Sequence, residues 1–519
     1  MGSKGPTLSR RELLAAGAAL PIVVARPGAV LAKETSAEPK PSPKILPEAP
    51  APDYTFRIAN QSIAPLGKSV DATLVNGTLP GPEIRYREGD IFRVVLENAL
   101  NPSTVPEGTT TVHWHGLVVP NWMDGVPDVT QLPIGSNESF YVEFPLVQTG
   151  SYWYHSHSGL QEQMGLSGPL IVEERSPAYA YDHDVTCLAN DWLNQSPYGI
   201  VPQIRGEQPK TEAVESPSGD LYNLPGAKSP FEIDVNYPGF LLNGKANDDP
   251  WTFQCRAGDR LRLRLINAAT SSTFRIALDD HEMTGIACDG NPCEPFVVDS
   301  LAIAVAERYD VLVTLQKSGS FTLHWAALGQ SSQVVGVIHA GGGETKPNLG
   351  RPDFGKRIGG MGFSETIKAP GNSQWPAGPT NEIDLALGGV MGKYLWSIGG
   401  HYYPEPYVPK EMADSQPMRI ESGQRVRLRL INKTKMWHPM HLHGHSFRVL
   451  ARNGEWSQPD APIKDTVGVG PFQEVDIEFY ADNPGRWFFH CHNLYHFAAG
   501  MASVFQYGAN PAVSLSESG

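Results

Sequence analysis

Cysteine is scarce in this chain, with five in 519 residues. Setting Cys491 aside leaves Cys187, Cys255, Cys288 and Cys293, none in a setting that suggests catalysis. Cys288 and Cys293 stand five apart around Asp-Gly-Asn-Pro, a spacing that a loop disulfide can close in an oxidising compartment. Cys187 and Cys255 read equally as a pair or as buried thiols. Basic charge is also short: 41 Lys and Arg face 55 Asp and Glu, a net charge of −14. That balance argues against nucleic acid as a partner and fits a solvated acidic surface. Long apolar runs are missing. One short run near the N-terminus falls below the ~20 residues of a spanning helix, and no other candidate exists, so no membrane span is expected. A charged content of 18% with 40% hydrophobic residues is that of a soluble globular protein.

Turn-forming residues are abundant, with 45 prolines and 52 glycines, which favours an all-β chain over a helical one. Two patterns recur three times. YREGDIFRVVLENA, CRAGDRLRLRLINA and IESGQRVRLRLINK align on Gly89, Gly258 and Gly423, 169 and 165 residues apart. GSYWYHSH, GSFTLHWA and GRWFFHCH align on Gly150, Gly319 and Gly485, each with a histidine five residues on: His155, His324 and His490. The alternating apolar residues read as strands. Three repeats of this size predict three consecutive β-sandwich domains.

Histidine is concentrated. Eleven of the 16 fall in four segments: HWH (His113, His115), HSH (His155, His157), HPMHLHGH (His438, His441, His443, His445) and HCHNLYHFAAGM (His490, His492, His496). Two histidines two apart on a strand share a face, so His490 and His492 point one way and Cys491 the other. One strand then serves two metal sites back to back. Cys491, His496 and Met501 supply part of a blue-copper site, which wants a thiolate, two imidazoles and a weak axial thioether, and His438 completes it. Without His445, which breaks the pattern, ten imidazoles, one thiolate and one thioether suffice for four coppers. An isolated H-x-H is usually a chance or surface pair; four such segments are not. Zinc also takes imidazole, but zinc sites rarely need more than four ligands and cannot use an electron path. His324 is followed by Trp325 and Ala326 instead of a second histidine and reads as structural.

With all four motifs present in order, the chain resembles the multicopper oxidases over its whole length after the leader. The resemblance implies three cupredoxin-like, Greek-key β-sandwich domains and four copper ions. His438, Cys491 and His496, with Met501 axial, would hold a type 1 copper. His113 and His441 would hold the type 2 copper. His115, His155, His157, His443, His490 and His492 would hold the type 3 pair. Single electrons from a small reducing substrate would pass through Cys491 to a cluster that reduces O2 to water. Asp124, in NWMDGVP, matches the family's acidic residue near the type 2 copper, where an acid relays protons; its rival role is an Asp-Gly turn. Relatives carry a glutamate within or beside the HCH segment, whereas this chain has Asn493, Leu494, Tyr495 and Phe497, so a second proton donor is not visible. A thioether at Met501 implies a low to medium potential.

The expected organisation is a twin-arginine signal peptide over 1–32 (Arg10 and Arg11 before an apolar run), a tether over 33–52, and cupredoxin domains over 53–175, 176–340 and 381–510, with a linker over 341–380. Only the third domain has a cysteine in the loop position, so the cluster would form between the first and third, with the middle domain a spacer. The expectation is a periplasmic or secreted monomer, a laccase-like oxidase of phenols and aromatic amines. The alternative is a cuprous or ferrous metallo-oxidase serving copper tolerance, which the scattered methionines disfavour. A non-catalytic copper-binding scaffold would be marked by lost ligands, and none is lost.

Overall fold

A computed structural model describes residues 50–102, 105–206, 231–342, 346–350, 352–362, 367–371, 376–456 and 460–508. The expected leader, and the tether as far as residue 49, lie outside the described residues. Strands dominate and pair into six sheets, two per sequence repeat. The aligned segments turn out to be the same strand three times. Ile91–Asn98, Arg260–Asn267 and Arg425–Asn432 each run parallel to a preceding strand (Tyr54–Ile63, His183–Trp192, Thr380–Val390). Each is antiparallel to a following one (Ser139–Pro145, Arg308–Thr314, Glu474–Tyr480). The second repeat supplies the centre of the opposite sheet: Gly150–His155, Ser320–Ala327 and Arg486–Cys491 each pair antiparallel on both sides.

The asparagine that ends the first repeat explains why the pattern recurs. Asn98, Asn267 and Asn432 are buried, and each Oδ1 accepts the N–H two residues on, from Leu100, Ala269 and Thr434. Each Nδ2 donates to a carbonyl 36 or 37 residues away, of Ile134, Ile303 and Val469. One side chain thus closes the turn after its strand and ties it to a distant segment, satisfying backbone groups that burial would otherwise leave unpaired.

Identical sequence patterns face different surroundings. In Arg425–Asn432 the apolar Val426, Leu428 and Leu430 are buried while Arg427 and Arg429 lie toward solvent with Glu478 and Asp476. In Arg260–Asn267 the matching arginines are buried. Arg262 binds Glu174 and Asp310 at 2.8 and 2.6 Å, and Arg264 binds Asp184 at 2.6 Å. Buried guanidinium groups are tolerated only when paired in this way.

Two details differ from the sequence expectation, and a third, the place of His445, is supplied by the structure. The stretch 341–380 contains the strand Ile358–Gly360, which pairs with Ser300–Ile303, so part of the expected linker is an edge of the middle domain's sheet. All five cysteines are free thiols; Cys288 and Cys293 are buried on neighbouring strands without a disulfide. His445 is buried against the Tyr507 ring, its Nε2 2.6 Å from the phenol oxygen. No helix among the described residues is long and apolar enough to cross a membrane.

Candidate metal centre

Two adjacent strands in the first repeat, His113–His115 and Gly150–His155, and two in the third, His438–Leu442 and Arg486–Cys491, deliver the histidines. In register, His113 lies opposite His155 and His441 opposite His490. All ten predicted imidazoles are buried, and so are Cys491 and Met501. Their nitrogens converge in three groups: His113, His115 and His441; His115, His155 and His492; His157, His443 and His490. Each group mixes residues from the two ends of the chain. A fourth group is separate: Cys491 Sγ stands 3.7 Å from His438 Nδ1 and 3.5 Å from His496 Nδ1. Alternation along 490–492 separates the sets, with His490 and His492 on one side of the chain and Cys491 on the other.

The donor atoms fit a cation. His113 Nε2, His115 Nδ1, His155 Nε2, His157 Nε2, His441 Nε2 and His492 Nε2 are buried without a hydrogen-bond partner among the described residues. The remaining two, His443 Nε2 and His490 Nε2, face each other at 3.1 Å. Their other nitrogens donate, His443 Nδ1 to Asp124 Oδ2 at 2.9 Å and His490 Nδ1 to the Cys491 carbonyl at 3.0 Å. Both Nε2 atoms therefore present lone pairs, a repulsive arrangement without a positive ion between them. Burial, and then the neighbouring imidazoles, hold His115, His157, His441 and His443 well below the usual histidine range, and His490 down to about 3. Neutral imidazoles are what a metal requires.

Acceptors behind the rings fix which nitrogen faces inward. His113 Nδ1 donates to the Asp124 carbonyl at 2.8 Å, and the Asp124 carboxylate lies 3.2 Å from the same nitrogen. Asp124 is fully buried and spans His113 and His443, which places it among the ring partners and not merely in a turn. Three other carboxylates escaped the sequence reading. Glu162 Oε2 lies 2.8 Å from His155 Nδ1, and burial raises its carboxyl well above the usual range. Asp465 Oδ1 lies 3.2 Å from His115 Nε2, while its carbonyl accepts from His441 Nδ1 at 2.9 Å. Asp234 Oδ2 lies 2.8 Å from His496 Nε2. The segment after Cys491 lacks a carboxylate, so these come from other parts of the chain.

Around the thiolate group, Trp396 lies 3.9 Å from the His496 ring and Thr434 Oγ1 is 2.8 Å from His438 Nε2. Asn493 caps the helix Leu494–Ala498 by accepting from the Tyr495 and His496 N–H groups, and its Nδ2 donates to Asp234. The Met501 backbone binds both neighbours: its carbonyl accepts from the Cys491 N–H and its N–H donates to the His496 carbonyl, each at 3.0 Å. A cavity lined by Phe231, Glu232, Asp234, Met436, Trp437 and Asn493 adjoins this group through Asp234, the partner of His496.

The middle repeat shows how a copy goes without metal. His324 occupies the place of His155 and His490, but the residue opposite is Ala277 instead of His113 or His441. Two residues on, Asp279 stands where the other copies have His115 and His443, and its carboxylate binds His324 Nε2 at 3.0 Å. Aligning 277–279 with HWH and HLH would have revealed this from sequence.

Three sandwich repeats, a thiolate site and a buried set of eight further imidazoles define a copper-dependent oxidoreductase. Multicopper oxidase family profiles match residues 57–177, 184–342 and 378–511, and the chain belongs to that family. It is an oxidase with O2 as acceptor, and its histidine groups fit the family's one type 1, one type 2 and two type 3 coppers. Among relatives, multicopper oxidase MmcO of Mycobacterium tuberculosis is 36% identical over 451 residues, 85% of this chain and 84% of that protein. Laccase-3 of Thanatephorus cucumeris is 30% identical, covering 87% and 90%. A copper resistance protein A homolog of Pseudomonas syringae is 27% identical, covering 86% and 91%. The laccase of Botrytis aclada superposes with a TM-score of 0.67 at 26% identity over 87% of each chain. Fet3p, a multicopper oxidase that functions in iron import, shares the fold with a TM-score of 0.73 at 24% identity, over 88% and 90%.

Proposed function

We propose that this chain is a laccase-like enzyme that takes single electrons from phenols and aromatic amines at His438, Cys491, His496 and Met501. Those residues hold the type 1 copper, His113 and His441 the type 2 copper, and His115, His155, His157, His443, His490 and His492 the type 3 pair. The observation that carries the reading is the covalent run His490-Cys491-His492, whose thiol faces one donor group and whose imidazoles face two others. The coppers supply one-electron transfer at the thiolate and four-electron reduction of O2 at the cluster. The protein's own share is structural and protonic. Asp124, between His113 and His443, passes protons toward the cluster; Glu162, behind His155, is the second carboxyl in reach. His496 Nε2 and Asp234 are the contact point for substrate: Asp234 accepts a phenol O–H or amine N–H, beside the mutually stacked rings of Phe231 and Trp437. The Met501 thioether keeps the type 1 potential low to medium, so Met501→Leu raises it. The three domains span 53–175, 176–340 and 381–510 in an exported monomer carrying a twin-arginine leader.

Glu232 and Asp234 on the same cavity favour a second reading, oxidation of cuprous or ferrous ions. Oxygen uptake measured with a phenol, Fe(II) and Cu(I), on the wild type and on Asp234→Asn, separates the two. The phenol reading predicts the highest kcat/KM with the phenol and a several-fold rise in its KM in the variant. Turnover of the metal ions alone would replace it with the second reading. A four-copper protein that consumes no oxygen with any donor would leave only a binding scaffold.

A further inference from the structure

The middle domain contributes none of the proposed ligands, yet one of its side chains reaches the support of the cluster. Arg308 is fully buried, and its two terminal nitrogens donate to the Asp465 carboxylate at 2.7 and 2.6 Å. Its Nε donates to the Ser151 carbonyl of the first domain at 3.0 Å, and its backbone N–H to Asp289 Oδ1 at 2.9 Å. Gly116, the residue after His115, makes room for it: a Cβ there would collide with the guanidinium, and its φ of +88° suits glycine.

Asp465 acts on two imidazoles at once. Its carboxylate engages His115 Nε2 and its carbonyl engages His441 Nδ1, leaving His115 Nδ1 and His441 Nε2 as the buried, partnerless atoms. The two rings stack with centroids 3.8 Å apart. Thr466 Oγ1 touches the same two nitrogens at 3.3 and 3.2 Å, and the N–H groups of Asp465 and Thr466 both donate to Asp289 Oδ2 at 3.3 Å. Lys464 pairs with Asp289 and Glu307 at 3.0 and 3.2 Å. Arg308 and Lys464 thus face three buried carboxylates. Removing Arg308 leaves three carboxylates to one cation among buried side chains, where an uncompensated charge is strongly disfavoured.

We propose that Arg308 is a positioning residue of the copper cluster: by clamping Asp465 it holds His115 and His441 side by side, with the nitrogen each offers to metal aimed inward. The middle domain is then a working part of the centre, not a spacer. The proposal rests on the ligand assignment above. Outer-shell partners of this kind alter metal affinity about 10–100-fold.

The test uses the full-length, copper-loaded chain with Arg308→Gln, Arg308→Lys and, as control, the buried Arg262→Gln, whose partners Glu174 and Asp310 hold no cluster histidine. Copper per chain, the type 2 paramagnetic resonance signal and the blue thiolate band are read together during titration with a copper chelator. The expected result for Arg308→Gln is a loss of cluster copper at a tenfold or more lower chelator concentration, an altered type 2 signal and an unchanged blue band. Arg262→Gln keeps all four coppers. Arg308→Lys, which retains charge but not the two-pronged contact, falls between wild type and Arg308→Gln. Equal copper loss in the Arg308→Gln and Arg262→Gln chains, or an unaltered type 2 signal in Arg308→Gln, overturns the proposal. Should Arg308→Gln fail to fold, an unaltered signal in Arg308→Lys overturns it and a weakened one supports it. A wild type that cannot hold four coppers defeats the ligand assignment instead.

Discussion

Cys491 has no exposed surface, and that burial pushes its thiol above the usual range, so it stays protonated until a metal displaces the proton. Replacing it with serine removes the thiol that stands beside His438 and His496. Cys491→Ser is expected to abolish the blue band while copper analysis still finds the three cluster ions; a surviving band would show that the thiolate lies elsewhere. His324 makes the opposite case. Its ring is bound on both sides, by Asp279 at 3.0 Å and Gln333 at 3.2 Å. His324→Ala should leave copper content at four while lowering stability by about 1–3 kcal/mol, the cost of a lost buried polar contact and a small void. Loss of a copper in that variant would mean the middle repeat does hold metal.

At the scale of the strand and its turn, the thrice-repeated asparagine separates scaffold from site. Asn267 binds only backbone groups in the middle repeat. Asn432 Oδ1 also accepts from Thr434 Oγ1 at 2.9 Å, and Thr434 touches His438. Asn267→Ala should therefore lower the melting temperature and leave the blue band alone. Asn432→Ala should do both damage to stability and a shift of the band, read by calorimetry and visible absorption; identical spectra would break the link through Thr434. The repeats, the strand alternation and every grouped histidine were legible in the sequence, because each is a local pattern with the period of a strand. The carboxylates behind the rings were not. Asp465 lies 350 residues from His115 and Asp234 lies 262 from His496, and their segments have no period that marks them. The fate of the middle copy lay in between, since Ala277 and Asp279 can be found only by matching strands across repeats.

For the whole molecule, the proposed copper ligands join two distant segments, around 113–157 and 438–501, across a buried centre that includes His115, His155, His441 and His492. Their folded values are lowered well below the ordinary one, by burial first. In the unfolded chain the same groups take up protons near pH 6.5. The sign follows: stability from keeping them neutral is present above the unfolded value and is lost as pH falls below it. The copper-free protein should lose melting temperature steadily between about pH 6.5 and 5; a flat profile over that span would show that the rings are not held neutral. The acceptors behind the rings carry a further consequence for loading. The inward nitrogens of His115, His155, His157, His441 and His492 have no hydrogen-bond partner among the described residues and burial holds their rings neutral, so these imidazoles surrender no hydrogen when metal arrives. Filling the centre of the folded protein should liberate about one proton per chain from the ligand set, that of Cys491. Calorimetric copper titrations in two buffers of different ionisation heat would count it, and in Cys491→Ser that count should fall toward zero. A site of ten imidazole nitrogens, one thiolate and one thioether would then fill with the pH dependence of about one proton, that of the thiol, and not of one for every ligand.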